Sequence, residues 1–348
     1  MNKLKKIGVS ALAGSLVAFA GHAGELTVSG SANVTYTNED LADSASTPSN
    51  STGNPFGSDS NLNFNGSGDV NGMTVSFFTA IQAGGGSYAS NSFTVDMGDM
   101  GAIKFDQGTG GNGIESIDDK SPTAWEESWD GIAAGDGMTT TGSQNVFTYT
   151  NTIAGFGINA AYDTEIDDAA TAEGAMGAQA GTNIDGSNYS FAITNNTLID
   201  GLDVGAGYGE TDVKDGTTTG TDIETIIGYV NYTMGPITVG YTMGETSGGA
   251  KGHDLHQMAA YGIAFNVNED LSVSFNNHQV DYLKTPSVVA ADLSMTPPAD
   301  HSTDIDSINV AYTMGGASIK IQHASQEGSS TSATYEEDAT EIALTLAF

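Results

Sequence analysis

The stretch EDATEIALTLAF, residues 337–348, decides the fold because its side chains alternate strictly in character. One face of an extended strand here carries four apolar side chains: Ile342, Leu344, Leu346 and Phe348. The other face carries Glu341, Ala343, Thr345 and Ala347. This two-residue period predicts a strand with one apolar and one polar face. A terminal aromatic after such a strand is typical of outer-membrane β-barrels, whose closing strand ends in the aromatic girdle at the lipid boundary.

Residues 1–23 have the pattern of a secretory signal. Lys3, Lys5 and Lys6 form a positive head, residues 7–20 an apolar middle, and residues 21–23 a small-residue cleavage site. The apolar run is short for a membrane-spanning helix, and no stop-transfer flank follows it. We therefore predict a cleaved signal peptide over 1–23 and a mature domain over 24–348, with an uncleaved anchor as the alternative.

The composition excludes some functions and narrows others. The chain has 43 Asp and Glu against nine Lys, three of which lie in the predicted signal, and it has no Arg. Nucleic acid is excluded as a partner because phosphate recognition needs clustered cations. No Cys is present, so no disulfide framework supports the fold. With 38% apolar residues and 46 Gly, the chain fits either a membrane barrel with a wet interior or a Gly-rich secreted protein.

Periodicity separates those two possibilities. Sixteen segments of roughly ten residues alternate as the last one does. They are 25–38, 61–70, 73–83, 92–97, 101–107, 144–151, 156–163, 187–197, 202–212, 221–234, 236–245, 256–267, 271–282, 303–314, 316–326 and 337–348. In 221–234 the inward or outward direction stays open, because Ile226 and Ile227 are adjacent.

The connections between these segments alternate between short and long. The short ones carry turn residues: 71–72, 98–100, 153–155, 199–201, 235–236, 268–270 and 315–316. The long, polar ones are 39–60, 84–91, 108–143, 164–186, 213–220, 246–255, 283–302 and 327–336. Such asymmetry is typical of an up-and-down membrane barrel, and an even strand count closes the sheet without an edge in lipid. We predict an all-β, 16-stranded antiparallel transmembrane β-barrel around a water-filled channel.

The longest connection, 108–143, carries most of the candidate functional residues. Its acids are Glu115, Asp118, Asp119, Glu126, Glu127, Asp130 and Asp136, with Lys120 as its cation. Ser121-Pro122 resembles a helix N-cap followed by Pro in the first turn, which predicts a short helix over 122–130. Such a helix would place Trp125 and Trp129 on one side, against the wall, and turn Glu126 and Asp130 towards water.

The chain resembles the 16-stranded trimeric general porins of Gram-negative outer membranes, most closely the Rhodobacter and wider alphaproteobacterial type. The resemblance rests on the mature start ELTVSG at 25–30, the long third loop and the terminal Phe348. It implies an outer-membrane homotrimer that passes ions and small hydrophilic solutes, with the third loop folded into the lumen as an eyelet. The acidic side of that eyelet maps onto Glu115, Asp118, Asp119, Glu126, Glu127 and Asp130.

The basic side of the eyelet departs from the family pattern, which places several arginines on the opposite wall. Lys104 and Lys320 alternate with outward apolar residues, so we predict that they point inward and serve as the basic side. Ordinary wall positions away from the constriction are the alternative for both. Two lysines against six acids predict a cation preference, because a charged ring concentrates counter-ions.

Several other readings stay open at this point. The acidic loops at 167–168 and 336–338 and the third loop could bind Ca²⁺, and His253 and His256 are spaced like a metal pair. No nucleophile motif, phosphate loop or triad spacing indicates an enzyme. Small outward residues at Gly30, Ala32 and Gly66 would suit a subunit contact. The rival functions are a substrate-specific outer-membrane channel and a secreted, acidic, calcium-stabilised surface or adhesion protein.

Overall fold

The structure is a computed structural model of the whole chain. It describes residues 24–41, 54–82, 88–130, 132, 138, 144–163, 185–213, 221–249, 254–284, 287–288, 295–296, 301–329 and 332–348. The predicted signal peptide lies outside the described residues. Within them, no helix is long and apolar enough to cross a membrane.

Sixteen strands of the described chain pair with their neighbours into a closed antiparallel barrel, as predicted. They are β1 (Glu25–Leu41), β2 (Phe56–Val70), β3 (Met73–Gln82), β4 (Tyr88–Asp96), β5 (Ala102–Gln107), β6 (Gln144–Ile153), β7 (Phe156–Asp163), β8 (Asp185–Asn195), β9 (Leu202–Val213), β10 (Thr221–Met234), β11 (Ile237–Gly249), β12 (Asp254–Asn266), β13 (Leu271–Lys284), β16 (His301–Met314), β17 (Ala317–Ser329) and β18 (Ser332–Ala347). Two further strands, β14 (Ser287–Val288) and β15 (Met295–Thr296), form a small ribbon outside the barrel.

The first and last strands close the barrel. β1 pairs with β18, and beyond the ladder the Gly30 amide donates to the Phe348 carbonyl at 2.8 Å. The Phe348 amide returns a bond of 2.9 Å to the Gly30 carbonyl. A β-carbon at Gly30 would lie 2.8 Å from the Phe348 ring, so glycine lets the terminal ring cover the seam. No backbone edge is left to pair with another chain at this seam.

The apolar side chains face outward, as the alternation predicts. On β18, Leu344 is 44% exposed while its neighbour Ala343 is 4% exposed. The open question on β10 is also resolved, since Ile226 is 57% exposed and Ile227 is fully buried on the inner face. Because exposed apolar rows continue around the wall while polar side chains line the interior, this sheet is built to contact lipid from outside.

One rim of the barrel carries the short turns. Asn71 and Gly72 have φ angles of 55° and 82°, and Ala154 and Gly155 have 52° and 84°. Such left-handed pairs form the tight turns that suit the twist of a hairpin. Residues 98–100 form a single 3₁₀ turn instead.

At the opposite rim the strands extend further than the sequence predicted. The predicted loop 327–336 is largely strand, because β17 continues to Ser329 and β18 begins at Ser332. Much of the predicted loop 246–255 is likewise part of β11 and β12. Above the apolar rows the outward side chains become polar, so the two-residue contrast disappears while the backbone ladder continues. Asn277, for example, donates to the outward Asp304 at 2.7 Å.

Candidate functional site

The first half of the long loop packs against the inner face of the wall. Residues Gly113–Ile117 form a 3₁₀ helix whose Ile114 and Ile117 are fully buried. These two side chains cluster with Ala192 of β8 and with Ile227 and Tyr229 of β10. Asn159 of β7 adds a pair of bonds, since its Oδ1 accepts from the Gly113 amide and its Nδ2 donates to the Gly111 carbonyl, both at 2.9 Å. The loop is therefore attached to the wall by a cluster of apolar side chains and by the two hydrogen bonds of Asn159.

A charged network ties down the root of the loop. The buried Asp106 accepts from Lys104 Nζ at 3.1 Å, from the Thr109 amide at 2.8 Å and from Asn112 Nδ2 at 2.7 Å. Asn112 in turn accepts from the Thr148 hydroxyl at 2.6 Å. Lys104 also donates to the Gly110 carbonyl at 2.9 Å. Lys104 thus points inward, but its ammonium is neutralised at the loop root by Asp106.

Wall side chains hold the second half of the loop through its backbone. Three bonds run from amide nitrogens to loop carbonyls: Asn231 to Lys120 at 2.7 Å, Asn276 to Pro122 at 2.7 Å and Gln322 to Glu127 at 2.7 Å. Asn309 donates to the Glu126 carbonyl at 3.2 Å. The Ser274 hydroxyl accepts from the Ala124 amide at 2.9 Å.

The predicted helix over 122–130 is wrong, because the structure has no regular helix in this segment. The wall explains the difference. Carbonyl groups that a helix would bond internally are bonded instead by the side chains of Asn276 and Asn309. Thr123 also turns its hydroxyl onto the Glu126 carbonyl at 2.7 Å, a local bond that competes with helical pairing.

Without a helix, the two tryptophans contact different strands. Lys320 Nζ of β17 stands over the Trp125 ring at 5.7 Å from its centroid. The Trp129 ring packs on the buried His278 of β13, with centroids 4.4 Å apart. A cation over an indole face is an attractive arrangement. Lys320, predicted to point inward, therefore lies beside the loop.

Carboxylates gather around this lysine. Burial raises the pKa of Glu126 to about 8, helped by the charges of Glu341 and Asp130 and opposed by Lys320. Burial also raises the pKa of Glu127 to about 7, helped by a hydrogen bond with Asp130. The physical cause in both cases is that a charged carboxylate loses hydration beside other acids.

The remaining predicted acids lie elsewhere on the loop. Glu115 accepts from the Asn112 amide at 3.1 Å and caps the 3₁₀ helix. Asp118 is buried, and Asp119 is exposed, with a charge that acts on Glu127. Asp136 lies outside the described residues. The structure thus brings Glu126, Glu127 and Asp130 together and places Glu115 in a structural position.

Sequence reasoning missed Glu341 and the wall amides. Glu341 lies on the inner face of β18, which the alternation around Ile342 already indicates, but its approach to the loop is a three-dimensional fact. The wall amides also occupy inward positions: Asn231, Asn276, Asn309 and Gln322. Their place on the inward face, given by strand alternation, is the only signal of their role in the sequence.

A cavity of about 1090 Å³ lies between the loop and the short-turn rim. Ser116 and Lys120 of the loop border it on one side, and the wall contributes Asn151, Thr194 and Asp203. Its lining is rich in hydroxyl, amide and carboxylate groups. Such a lining suits water and hydrophilic solutes.

Residues that could hold a metal lie away from this site. Within the described chain, Glu210, Asp212 and Asp222 have carboxylate oxygens within 4.8 Å of one another at the long-loop rim. The predicted acidic loop at 336–338 is strand, because β18 already begins at Ser332. Residues 167–168 and His253 lie outside the described residues. His256 packs edge-on against Tyr282, with ring centroids 4.8 Å apart.

Comparison with known proteins bears on the whole chain. The model of a family described as Gram-negative porin matches residues 8–347. A comparison with curated proteins gave no match.

Solved structures share the architecture. The anion-selective porin from Comamonas acidovorans superposes with a TM-score of 0.64 at 13% identity, over 93% of this chain and 100% of that chain. OmpF of Salmonella typhi, in complex with daunomycin, gives 0.64 at 13% identity, over 94% and 98%. OmpT of Vibrio cholerae gives 0.63 at 13% identity, over 95% and 99%. At these identities the likeness shows the fold.

Proposed function

This chain belongs to the Gram-negative porin family, and we propose that it is a passive, cation-preferring channel in which the loop 108–143 forms the constriction. It is an outer-membrane β-barrel protein, and its family supports a channel for small solutes. Ions and small hydrophilic solutes would move down their gradients without covalent chemistry. The short turns would then face the periplasm and the long loops the exterior.

One observation carries the cation preference. Four carboxylates, those of Glu126, Glu127, Asp130 and Glu341, influence one another across the loop and β18, and Lys320 is the cation that acts among them. Lys104, the other predicted basic residue, is paired with Asp106 at 3.1 Å. At pH 9, above the pKa values of Glu126 and Glu127, the passage beside the loop therefore carries an excess of negative charge, which concentrates cations and repels anions.

The fold does not determine this selectivity. The Comamonas acidovorans porin has the same architecture and is described as anion-selective. Selectivity must therefore come from side chains at the passage, and those of this chain are acidic. The chain has no Arg to reverse that balance.

Reversal potentials in a salt gradient test the proposal. At pH 9, where both carboxyls are ionised, we expect the native channel to favour cations, and the double variant Glu126→Gln, Glu127→Gln to lose much of that preference. Glu245→Gln is the matched control, because Glu245 is exposed on the outer face and bonded to Gln257 at 2.8 Å. Anion preference in the native channel, or equal losses in all variants, would contradict the assignment.

We further propose a homotrimer, in which the outer wall of β1–β4 forms the subunit contact. Leu26, Gly66, Val75, Phe77 and Phe93 line a shallow recess of about 340 Å³ on that wall. The Phe77 ring lies over Gly66, and the Phe348 ring over Gly30, so two of the three predicted small residues are covered by the chain's own aromatic rings. Single insertion events in a planar bilayer should open in three equal conductance steps. Insertions of one step only would rule out a stable trimer.

A further inference from the structure

Five inward-facing residues stand directly opposite one another across consecutive wall strands. The ladder pairs Asn231 of β10 with Gly240 of β11, Gly240 with Gly262 of β12, Gly262 with Asn276 of β13, and Asn276 with Ser307 of β16. The row therefore reads amide, glycine, glycine, amide, hydroxyl. We call these five residues the loop seat, because residues 120–128 of the long loop lie on them.

The two glycines leave the space that Ser121 and Pro122 of the loop occupy. A β-carbon at Gly262 would stand 2.5 Å from the Pro122 carbonyl oxygen and 2.7 Å from the Ser121 hydroxyl. One at Gly240 would collide with the Pro122 ring and with Asn231 Oδ1. Real side chains essentially never approach so closely, so any other residue at these positions would displace the loop backbone.

The polar members of the loop seat grip the loop on either side of the glycines. Asn231 donates to the Lys120 carbonyl and Asn276 to the Pro122 carbonyl, both at 2.7 Å. Further along, the Ser307 hydroxyl donates to the Ser128 hydroxyl at 3.2 Å. Both amides bind backbone carbonyls, so the grip does not use the carboxylates of Glu126 and Glu127. Partly buried amide bonds of this kind cost free energy to lose, because the carbonyl is left without its partner.

We propose that the loop seat is the positioning element that sets the width and the charge of the passage. It holds residues 120–128 against β10–β13 and β16, and this places Trp125, Glu126 and Glu127 beside Lys320. The functional half of this inference rests on the proposed function, namely that the loop is the constriction. The structural half, that the loop seat holds the loop, does not.

Tryptophan fluorescence tests the structural half directly. Both tryptophans of the chain, Trp125 and Trp129, lie in this loop, so emission from the purified protein in detergent reports on the loop alone. In Gly262→Ala we expect a red shift of the emission and stronger quenching by acrylamide. The control is Gly228→Ala, because a β-carbon at this outward strand glycine would find its nearest neighbour at 3.6 Å. Far-UV circular dichroism should show an intact barrel in both variants.

A second pair of variants guards against misfolding at the glycines. Asn276→Leu removes the bond to Pro122, while Asn277→Leu changes the next residue, which faces outward and bonds Asp304 at 2.7 Å. We expect the fluorescence change in Asn276→Leu and not in Asn277→Leu. An unchanged loop signal in both Gly262→Ala and Asn276→Leu would overturn the inference. A change of equal size in all four variants would do the same.

Bilayer recording of the same variants tests the functional half. We expect a larger single-channel conductance and a loss of cation preference in Gly262→Ala and Asn276→Leu, with both controls at native values. A fluorescence change with native conductance and selectivity would overturn the role in setting the passage. That result would also contradict the loop as constriction, whereas an unchanged fluorescence signal would leave the proposed function standing.

Discussion

Glu126 and Glu127 show how a single position in this channel takes its properties from its surroundings. Each lies in a loop of acids, and burial together with neighbouring charge raises their pKa values from 4.5 to about 8 and about 7. A carboxyl with a raised pKa binds its proton more tightly in the folded chain than in the unfolded one. Its contribution to stability is therefore fully present below pH 4.5 and is lost as the pH rises through 7 and 8.

The same shifts predict a pH-dependent selectivity. At pH 6 both carboxyls are largely protonated, and by pH 9 both are ionised, given pKa values of about 8 and about 7. We expect the cation-to-anion permeability ratio to rise across this interval, measured as reversal potentials in a fixed KCl gradient. The Glu126→Gln, Glu127→Gln double variant should flatten the profile. A native profile that is already flat between these pH values would contradict the placement of the two carboxyls in the passage.

At the scale of single elements, β18 allows its two faces to be tested separately. Leu344 lies in the middle of the outward apolar row, paired with Val34 of β1 and Ile319 of β17. Leu344→Lys should lower the free energy of unfolding in lipid vesicles by about 2–4 kcal/mol, because a cation near the bilayer midplane is costly. Urea titration of vesicle-embedded protein measures this difference. The adjacent Thr345 faces the lumen, so Thr345→Lys should fold nearly as well as the native chain. Equal losses in the two variants would contradict the assigned faces.

The root of the loop is a second element whose stability can be measured. Asp106→Ala would leave the half-buried Lys104 ammonium and the buried Asn112 amide without their shared acceptor, a loss of about 1–3 kcal/mol. We expect the loop, followed by tryptophan emission, to open at lower urea than in the native chain. Asp59→Ala is the control, because Asp59 accepts from Gln82 at 3.1 Å and, within the described residues, has no ion pair and no hydrogen bond to the loop. That substitution should stay within about 0.5 kcal/mol, and equal shifts in both would argue against a special role for the root.

Elements also show what a sequence pattern can predict. Alternation places all sixteen barrel strands, because each strand must satisfy lipid on one face and water on the other. The predicted helix over 122–130 failed because the Ser121-Pro122 signal describes only local preferences. The amides of Asn276 and Asn309, more than 150 residues away along the chain, take the carbonyls that a helix needs. The strand ends beyond the apolar rows were missed for the related reason that no change of polarity marks them.

For the whole molecule, the sequence predicts the barrel better than it predicts the passage. Closure of the barrel follows from the even number of strands and from the alternation of inward and outward side chains. That alternation recurs in each of the sixteen strands, so an error in one strand does not change the predicted fold. The passage depends on a few contacts between distant strands, such as those that bring Glu341 of β18 and Lys320 of β17 to one loop. The alternation along each strand shows which residues face inward. Only the register between paired strands shows which of them lie at the same height in the barrel. The loop seat illustrates this, since its five residues become a row only when the strands are paired.

The charge of the whole chain predicts how selectivity depends on salt. The chain has a formal net charge of −34, and among the described residues Glu210, Asp212 and Asp222 lie at the long-loop rim, so long-range attraction adds to the local effect of Glu126 and Glu127. The Debye length falls from about 10 Å at 0.1 M salt to about 3 Å at 1 M, which screens rim charges but leaves partly buried ones effective. We therefore expect cation preference to fall between these concentrations without disappearing. Reversal potentials at a constant concentration ratio measure it, with the Glu126→Gln, Glu127→Gln variant as the comparison. Complete loss of preference at 1 M salt in the native channel would mean that only the rims select, and the buried carboxylates would then have no part in the passage.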